Sequence, residues 1–227
     1  MKFIVIIPAS GSGIRFESQI PKQFIKLNGK EVITHSIAKF HPIPSVHSIY
    51  IATQKEYFRK IKGIIKKNKF TKVAGIVEGG KERQDSVFNV LKIIKCSPED
   101  IIIVHDAVRP FITRSKIKEL IKYAKKFGCV IPGLKVNDTL KIASENNFIK
   151  ETIKRDNIWI IQTPQLFRYD VLMKSFKKVY RNDYLGTDES SIVEYARFKV
   201  KIIKGENTNI KITTRDDILQ NNCLKLL

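Results

Sequence analysis

Three short segments of the chain carry residue types able to do chemistry. The first follows the apolar run Phe3-Ile4-Val5-Ile6-Ile7 and reads Pro8-Ala9-Ser10-Gly11-Ser12-Gly13-Ile14-Arg15-Phe16, with Pro21-Lys22-Gln23-Phe24 shortly after. Small residues let backbone N–H groups close around an anion, and Arg15 and Lys22, seven positions apart, bring two cations toward it. Phosphate suits that arrangement; an ordinary strand-to-helix turn is the competing reading. The loop lacks the third glycine of a dinucleotide fingerprint and the Gly-Lys-Ser/Thr of a P-loop.

The second segment is Gly79-Gly80-Lys81-Glu82-Arg83-Gln84-Asp85-Ser86, and the third is His105-Asp106-Ala107-Val108-Arg109-Pro110. Asp106, beside glycine-rich and basic loops, is placed to hold Mg²⁺ that bridges phosphates, or else to serve as a turn residue paired with Arg109. His105 reads as packed or oriented by its neighbours rather than catalytic. His35, His41 and His47 have no Cys or carboxylate partner at metal-ligand spacing and read as structural or surface residues. No Ser-His-Asp or Gly-x-Ser-x-Gly arrangement occurs, which removes the common nucleophilic hydrolases.

All three segments fall where a strand is predicted to end. Short Ile- and Val-rich runs alternate with helical-period stretches, the pattern of βαβ units and a mostly parallel sheet covered on both faces. Strands are expected at 3–7, 48–53, 73–78, 101–104, 129–134 and 200–204, with a short one near 209–213. Helices are expected at 31–40, 56–68, from an N-cap at Asp85 or Ser86 to about Lys95, from Thr113 or Ser115 to Phe127, at 169–179, at 189–195 and from Arg215. Between Val136 and Thr163 the helical period is lost, and the polar turn Ser144-Glu145-Asn146-Asn147 suggests an inserted β-hairpin arm. Trp159, between two isoleucines, reads most simply as core. In an open parallel sheet, ligands bind beyond the carboxyl ends of the strands, so the three segments border one site.

At 227 residues the chain suits one well-buried α/β domain rather than two. A formal charge of +20 raises nucleic acid, an anionic membrane or a polyanionic small substrate as partners. The lysines are spread over every segment, which fits solvated helix faces better than a binding stripe, so neither nucleic acid nor membrane is expected as partner. Cys96, Cys129 and Cys223 show neither CxxC nor Cys/His spacing, and no leader or membrane-length apolar run is present; a soluble, cytoplasmic chain is expected.

Taken in order, the segments PASGSGIRF (8–16), PKQF (21–24), GGKERQDSV (79–87), VHDAVRPFI (104–112), KVNDTLK (135–141), RDNIW (155–159), TPQLF (163–167), TDES (187–190) and NIKIT (209–213) resemble the 2-C-methyl-D-erythritol 4-phosphate cytidylyltransferase family. The resemblance runs from residue 3 to about 217. It implies a Rossmann-like nucleotidyltransferase fold in a single domain, 1–227, with a dimerisation arm at about 136–163 through which a homodimer forms. It also implies cytidylyl transfer from CTP to methylerythritol phosphate in isoprenoid-precursor biosynthesis, with Mg²⁺ or another divalent cation. By position, the CTP triphosphate falls on Ala9, Ser10, Gly11, Ser12, Gly13, Arg15 and Lys22, with Arg15 and Lys22 catalytic. Gly80, Lys81 and Ser86 fall near the cytosine, and Asp106 falls between the substrates and toward the metal. Methylerythritol phosphate falls on Asp106, Arg109, Thr163 and Lys211, with Thr139 and Arg155 supplied by the partner's arm.

This chain departs from the family pattern at Ser10, Ile14, Lys81 and Thr208, where alanine, arginine, aspartate and aspartate are usual. The related ribitol 5-phosphate cytidylyltransferases share the first loop, HDxVRPF and TPQ; TDES and Pro8 lean toward methylerythritol. A basic nucleic-acid-binding protein is the rival from another class. A nicotinamide oxidoreductase is disfavoured by the missing glycine and by the lack of an acidic residue after the second strand.

Overall fold

The computed structural model describes residues 1–11, 20–214 and 216–217. Strand β1 (Phe3–Pro8) is an uninterrupted apolar run, as expected of a strand covered on both faces, and it lies at the middle of the main sheet. Its side chains alternate: Phe3, Val5 and Ile7 enter one hydrophobic cluster, Ile4 and Ile6 the other. A small hairpin follows, β2 (Lys26–Leu27) and β3 (Lys30–Glu31), turning on Asn28 and Gly29 at φ of 50° and 76°. Both central residues occupy the left-handed region, which is what an Asn-Gly hairpin turn requires.

The chain continues through α1 (Val32–Phe40), β4 (Val46–Thr53), α2 (Phe58–Lys67), β5 (Val73–Glu78), α3 (Arg83–Ile93), β6 (Ile101–Val104), α4 (Arg114–Phe127) and β7 (Cys129–Lys135). Strands β6, β1, β4 and β5 run parallel and adjacent. Helices α1, α2 and α4 pack on one face of the sheet, with Ile33, Ile37, Phe40, Ile61 and Leu120 buried there. On the other face lie α3 and the later α5 (Tyr169–Arg181) and α6 (Glu189–Tyr195), which bury Val87, Leu91, Phe176 and Ile192.

Between β7 and α5 the chain forms the arm strands β8 (Leu140–Ala143) and β9 (Ile149–Ile153), then β10 (Trp159–Ile161) and β11 (Gln165–Arg168). β8 and β9 pair only with each other, turning through Asn147 at φ 62°, so the inserted hairpin is present. It is shorter than 136–163, because β10 pairs antiparallel with β7 and returns the chain to the main sheet. β11 follows and lies antiparallel between β6 and β7, while β12 (Lys201–Lys204) runs parallel to β7.

Several expectations are corrected. The N-cap of α3 is Glu82 rather than Asp85 or Ser86. Glu82 and Asp85 make a reciprocal capping box in which Asp85 accepts the Glu82 N–H at 3.0 Å, so the helix starts three or four residues earlier. Residues 209–213 form no strand; the segment meets the fold through the Ile212 N–H on the Val108 carbonyl at 2.9 Å and through the Asn209 side chain. β11 was not anticipated, since its short run after Pro164 has no alternation to mark it. Trp159 is half-exposed at the sheet edge, with Lys135 Nζ 5.6 Å from its ring. The terminal helix expected from Arg215 falls, apart from Asp216 and Asp217, outside the described residues.

Candidate active site

The ends of β1, β5 and β6 meet around a cleft of about 160 Å³. Its walls include Ala9, Ser10, Gly11, Lys22, Gly80, Lys81, Ser86, Asp106 and Lys211, so the predicted segments do converge. Ser12, Gly13 and Arg15 lie outside the described residues.

The first two loops touch directly. Ser86 Oγ donates to Ser10 Oγ at 3.2 Å and accepts the Gly80 N–H at 3.1 Å. A Cβ at Gly79 would stand 1.8 Å from Ser10 Oγ, and one at Gly80 would stand 2.1 Å from the Asp85 Cβ. Both glycines are therefore demanded by close approach. Buried Gln23 donates from Nε2 to the Ala9 carbonyl at 2.7 Å, and so brings neighbouring Lys22 up to the first loop.

The end of β6 carries the densest charge network among the described residues. Asp106 Oδ1 lies 3.2 Å from Arg83 Nε and 3.1 Å from Arg83 Nη2; Oδ2 lies 3.0 Å from Lys211 Nζ and 3.6 Å from Arg109 Nε. Burial alone would raise the Asp106 carboxyl, but Arg83, Lys211 and Arg109 outweigh it and hold the group well below the usual carboxylate range. A carboxylate held so firmly ionised is suited to orienting cations, not to taking up a proton. Arg109 pairs with Asp106 and donates from Nη1 to the Asn209 carbonyl at 2.8 Å; it supports Asp106 from behind and is not part of the cleft wall.

His105, fully buried, fulfils the expectation of an oriented residue. Its Nε2 lies 3.0 Å from the Arg109 carbonyl, which only accepts, so the proton is on Nε2 and Nδ1 receives the Thr163 hydroxyl at 3.2 Å. Thr163 Oγ1 in turn accepts the Asp106 N–H at 3.0 Å. Burial lowers the His105 pKa to about 4, so the ring is neutral near pH 7. Asn209 ties the C-terminal segment carrying Lys211 to this frame, donating to the Thr163 carbonyl at 2.8 Å.

Two residues escaped the sequence reading. Arg83, at the start of α3, joins Asp106 to Glu189, whose two oxygens lie 2.7 and 2.9 Å from Arg83 Nη1. Both stand inside segments of family-like sequence, GGKERQDSV and TDES, but nothing in one sequence pairs residues 106 positions apart. Thr139 and Arg155, by contrast, stay away from the cleft. Both are exposed at the base of the arm, where Arg155 Nη1 donates to the Asn137 carbonyl. No helix among the described residues is long and apolar enough to cross a membrane.

Residues 3–224 match the family model described as IspD, 2-C-methyl-D-erythritol 4-phosphate cytidylyltransferase. A protein of that name from Clostridioides difficile (strain 630) is 41% identical over 219 residues, covering 95% of this chain and 90% of its own. One from Alkaliphilus oremlandii (strain OhILAs) is 40% identical over 223 residues, covering 96% and 92%. Among solved structures, 4-diphosphocytidyl-2C-methyl-D-erythritol synthase from Anaerococcus prevotii superposes with a TM-score of 0.85 at 29% identity, covering 100% of this chain and 96% of that one. The Francisella tularensis 2-C-methyl-D-erythritol 4-phosphate cytidylyltransferase gives 0.82 at 33% identity, covering 98% and 99%.

Proposed function

The chain belongs to the 2-C-methyl-D-erythritol 4-phosphate cytidylyltransferase family, and from that membership we propose how its own residues carry the reaction. It transfers a cytidylyl group from CTP to methylerythritol phosphate, yielding 4-diphosphocytidyl-2-C-methyl-D-erythritol and pyrophosphate. The observation that carries the residue assignment is the ionised Asp106 at the junction of the two glycine-rich loops, ringed by Arg83, Arg109 and Lys211.

In this reading the triphosphate lies along Ala9 to Gly13 with Arg15 and Lys22, and the cytosine lies against Gly80, Lys81 and Ser86. Methylerythritol phosphate meets Asp106 and Lys211, with Arg109 and Thr163 bracing Asp106 from behind the cleft wall. Its phosphate oxygen attacks the α-phosphorus of CTP and pyrophosphate leaves. The attacking phosphomonoester, with a second pKa of about 6, is already largely dianionic near neutral pH and needs no general base. The site's task is to hold two anions in line and to stabilise charge on the equatorial and leaving oxygens, which Arg15 and Lys22 do.

Asp106, which lines the cleft, is the carboxylate that would hold Mg²⁺, sharing it with substrate phosphates as further oxygen ligands. When bound, the ion neutralises part of the phosphate charge. The arm exposes Phe148 (75%), Ile149 (66%) and Ile142 (40%), an apolar surface that supports a homodimer in which Thr139 and Arg155 complete the partner's site. Cys96 and Cys129 are free thiols, which suits the reducing cytoplasm.

Pyrophosphate release from CTP and Mg²⁺ is expected with methylerythritol phosphate as acceptor. Turnover confined to ribitol 5-phosphate sinks the acceptor assignment, and full turnover after Lys22→Ala sinks the triphosphate assignment.

A further inference from the structure

Glu189 contacts neither substrate in the reading above, yet it is the most enclosed carboxylate at the site. The residue is fully buried, and it is not part of the cleft wall. Its two oxygens share Arg83 Nη1, while the other edge of the same guanidinium, Nε and Nη2, faces Asp106 Oδ1. One half-buried cation therefore serves two carboxylates from opposite sides.

Glu189 is itself held from behind. Asp188 caps α6 by accepting the Ser191 N–H at 2.8 Å. Gln165 donates to Asp188 at 2.6 Å and accepts the Ser190 N–H at 3.0 Å. Gln165 lies on β11 in register with Val104 on β6, two residues before Asp106. The contacts close a ring from β6 through Asp106, Arg83 and Glu189, then by way of its chain neighbours Asp188 and Ser190 to Gln165 and back to β6. Within it, the N-terminal turn of α3, which follows Gly80 and Lys81 directly, is locked against the strand end that carries Asp106.

We propose that Glu189 is a positioning residue for cytidylyl transfer, holding Arg83 so that the nucleotide wall at the start of α3 stays aligned with Asp106. The charge on Glu189 draws one edge of Arg83 away from Asp106 and confines the other to Oδ1, which leaves Oδ2 to Lys211, Arg109 and the cleft. Without that charge the guanidinium swings onto Asp106 and the two walls lose their mutual alignment. The kinetic signature is specific: CTP still binds to its own loops, while the aligned attack slows.

This role rests on Asp106 lying where the two substrates meet, and the experiment separates the two claims. Glu189→Gln keeps the shape and one acceptor but removes the charge. It is expected to lower kcat by about fivefold or more while the KM for CTP stays within about twofold. Because Glu189 acts through Arg83, the Arg83→Gln/Glu189→Gln double variant is expected to be no slower than Arg83→Gln alone. Should Glu189→Gln fail to fold, Glu189→Asp, which keeps the charge but falls short of Arg83, is expected to show the same split of kcat from KM. A folded variant whose kcat drops by less than about fivefold, or losses that multiply in the double variant, overturns the positioning role. Asp106→Asn distinguishes the premises: lost turnover there beside an intact Glu189→Gln overturns the Glu189 role alone, whereas unchanged turnover in Asp106→Asn overturns the site assignment as well.

Discussion

The end of β6 and the β8–β9 arm are built in opposite ways. At the end of β6, Asp106 and its neighbours draw their partners from distant parts of the chain: Arg83 from α3, Glu189 from α6, Thr163 from the turn before β11, Lys211 and Asn209 from the C-terminal segment. In the arm, β8 and β9 pair with each other and nothing else, and large apolar side chains face solvent. The first region is finished within one chain; the second presents a surface that a single chain does not cover. Groups that must be held to fractions of an ångström belong in the first setting, because buried, mutually oriented partners restrict their motion, whereas an exposed hairpin can be ordered by a neighbour.

Four experiments break or sharpen this contrast. The largest expected effect is on chemistry. Lys22→Ala should raise the barrier to transfer by on the order of 3 kcal/mol, by analogy with loss of one oxyanion-hole donor, read as the fall in kcat for pyrophosphate release. A milder loss would mean that the loop binds without assisting the transfer.

Acid stability comes next. The unfolded His105 titrates near 6.5 and the folded ring near 4, so between those values the unfolded state binds more protons. Stability from this residue is therefore fully present above pH 6.5 and lost as pH falls toward 4, by about 3 kcal/mol in all. Urea unfolding at pH 4.5 and 7 should show that slope in the wild type and a flatter one in His105→Gln. Equal slopes would mean that His105 is not held neutral by its buried setting.

Gly79→Ala tests the contact between the first two loops. The added Cβ, 1.8 Å from Ser10 Oγ, forces a shift expected to cost about 1–3 kcal/mol in folding stability. The smallest effect on one chain's own stability is expected in the arm. Phe148→Asp, at a residue 75% exposed, should change chemical denaturation of the monomer by less than about 0.5 kcal/mol. For the homodimer proposed above, it should weaken association in sedimentation by about tenfold or more, or about 1.4 kcal/mol. An arm substitution that unfolds the monomer would erase the contrast.

How much of this was legible beforehand depends on how local the cause is. β1, α1 and α4 could be read because their apolar spacing repeats within a few residues, and Thr113 does cap α4, accepting the Lys116 N–H at 3.1 Å. The glycines of the second segment could be read as tight, and so they are. The hairpin at Asn28-Gly29 carries a recognisable turn signal in its Asn-Gly pair, though its strands are too short to show alternation. β11 offers too few residues to show a period, and the Glu82 cap of α3 is hidden because its reciprocal bond with Asp85 shows only in the folded chain, beside two candidates of a more usual cap type.

Residue chemistry and local spacing determined the strand-end loops, the alternation of β1 between two cores and the presence of an Asp among cations. The pairing with Arg109, three residues away, was within local reach; only the folded chain brought in Arg83. Arg83 and Glu189 stand far apart in sequence, and they meet because α3 and α6 cover the same face of the sheet. An ion pair needs its two charges within a few ångströms, and helix packing, not sequence spacing, sets that distance.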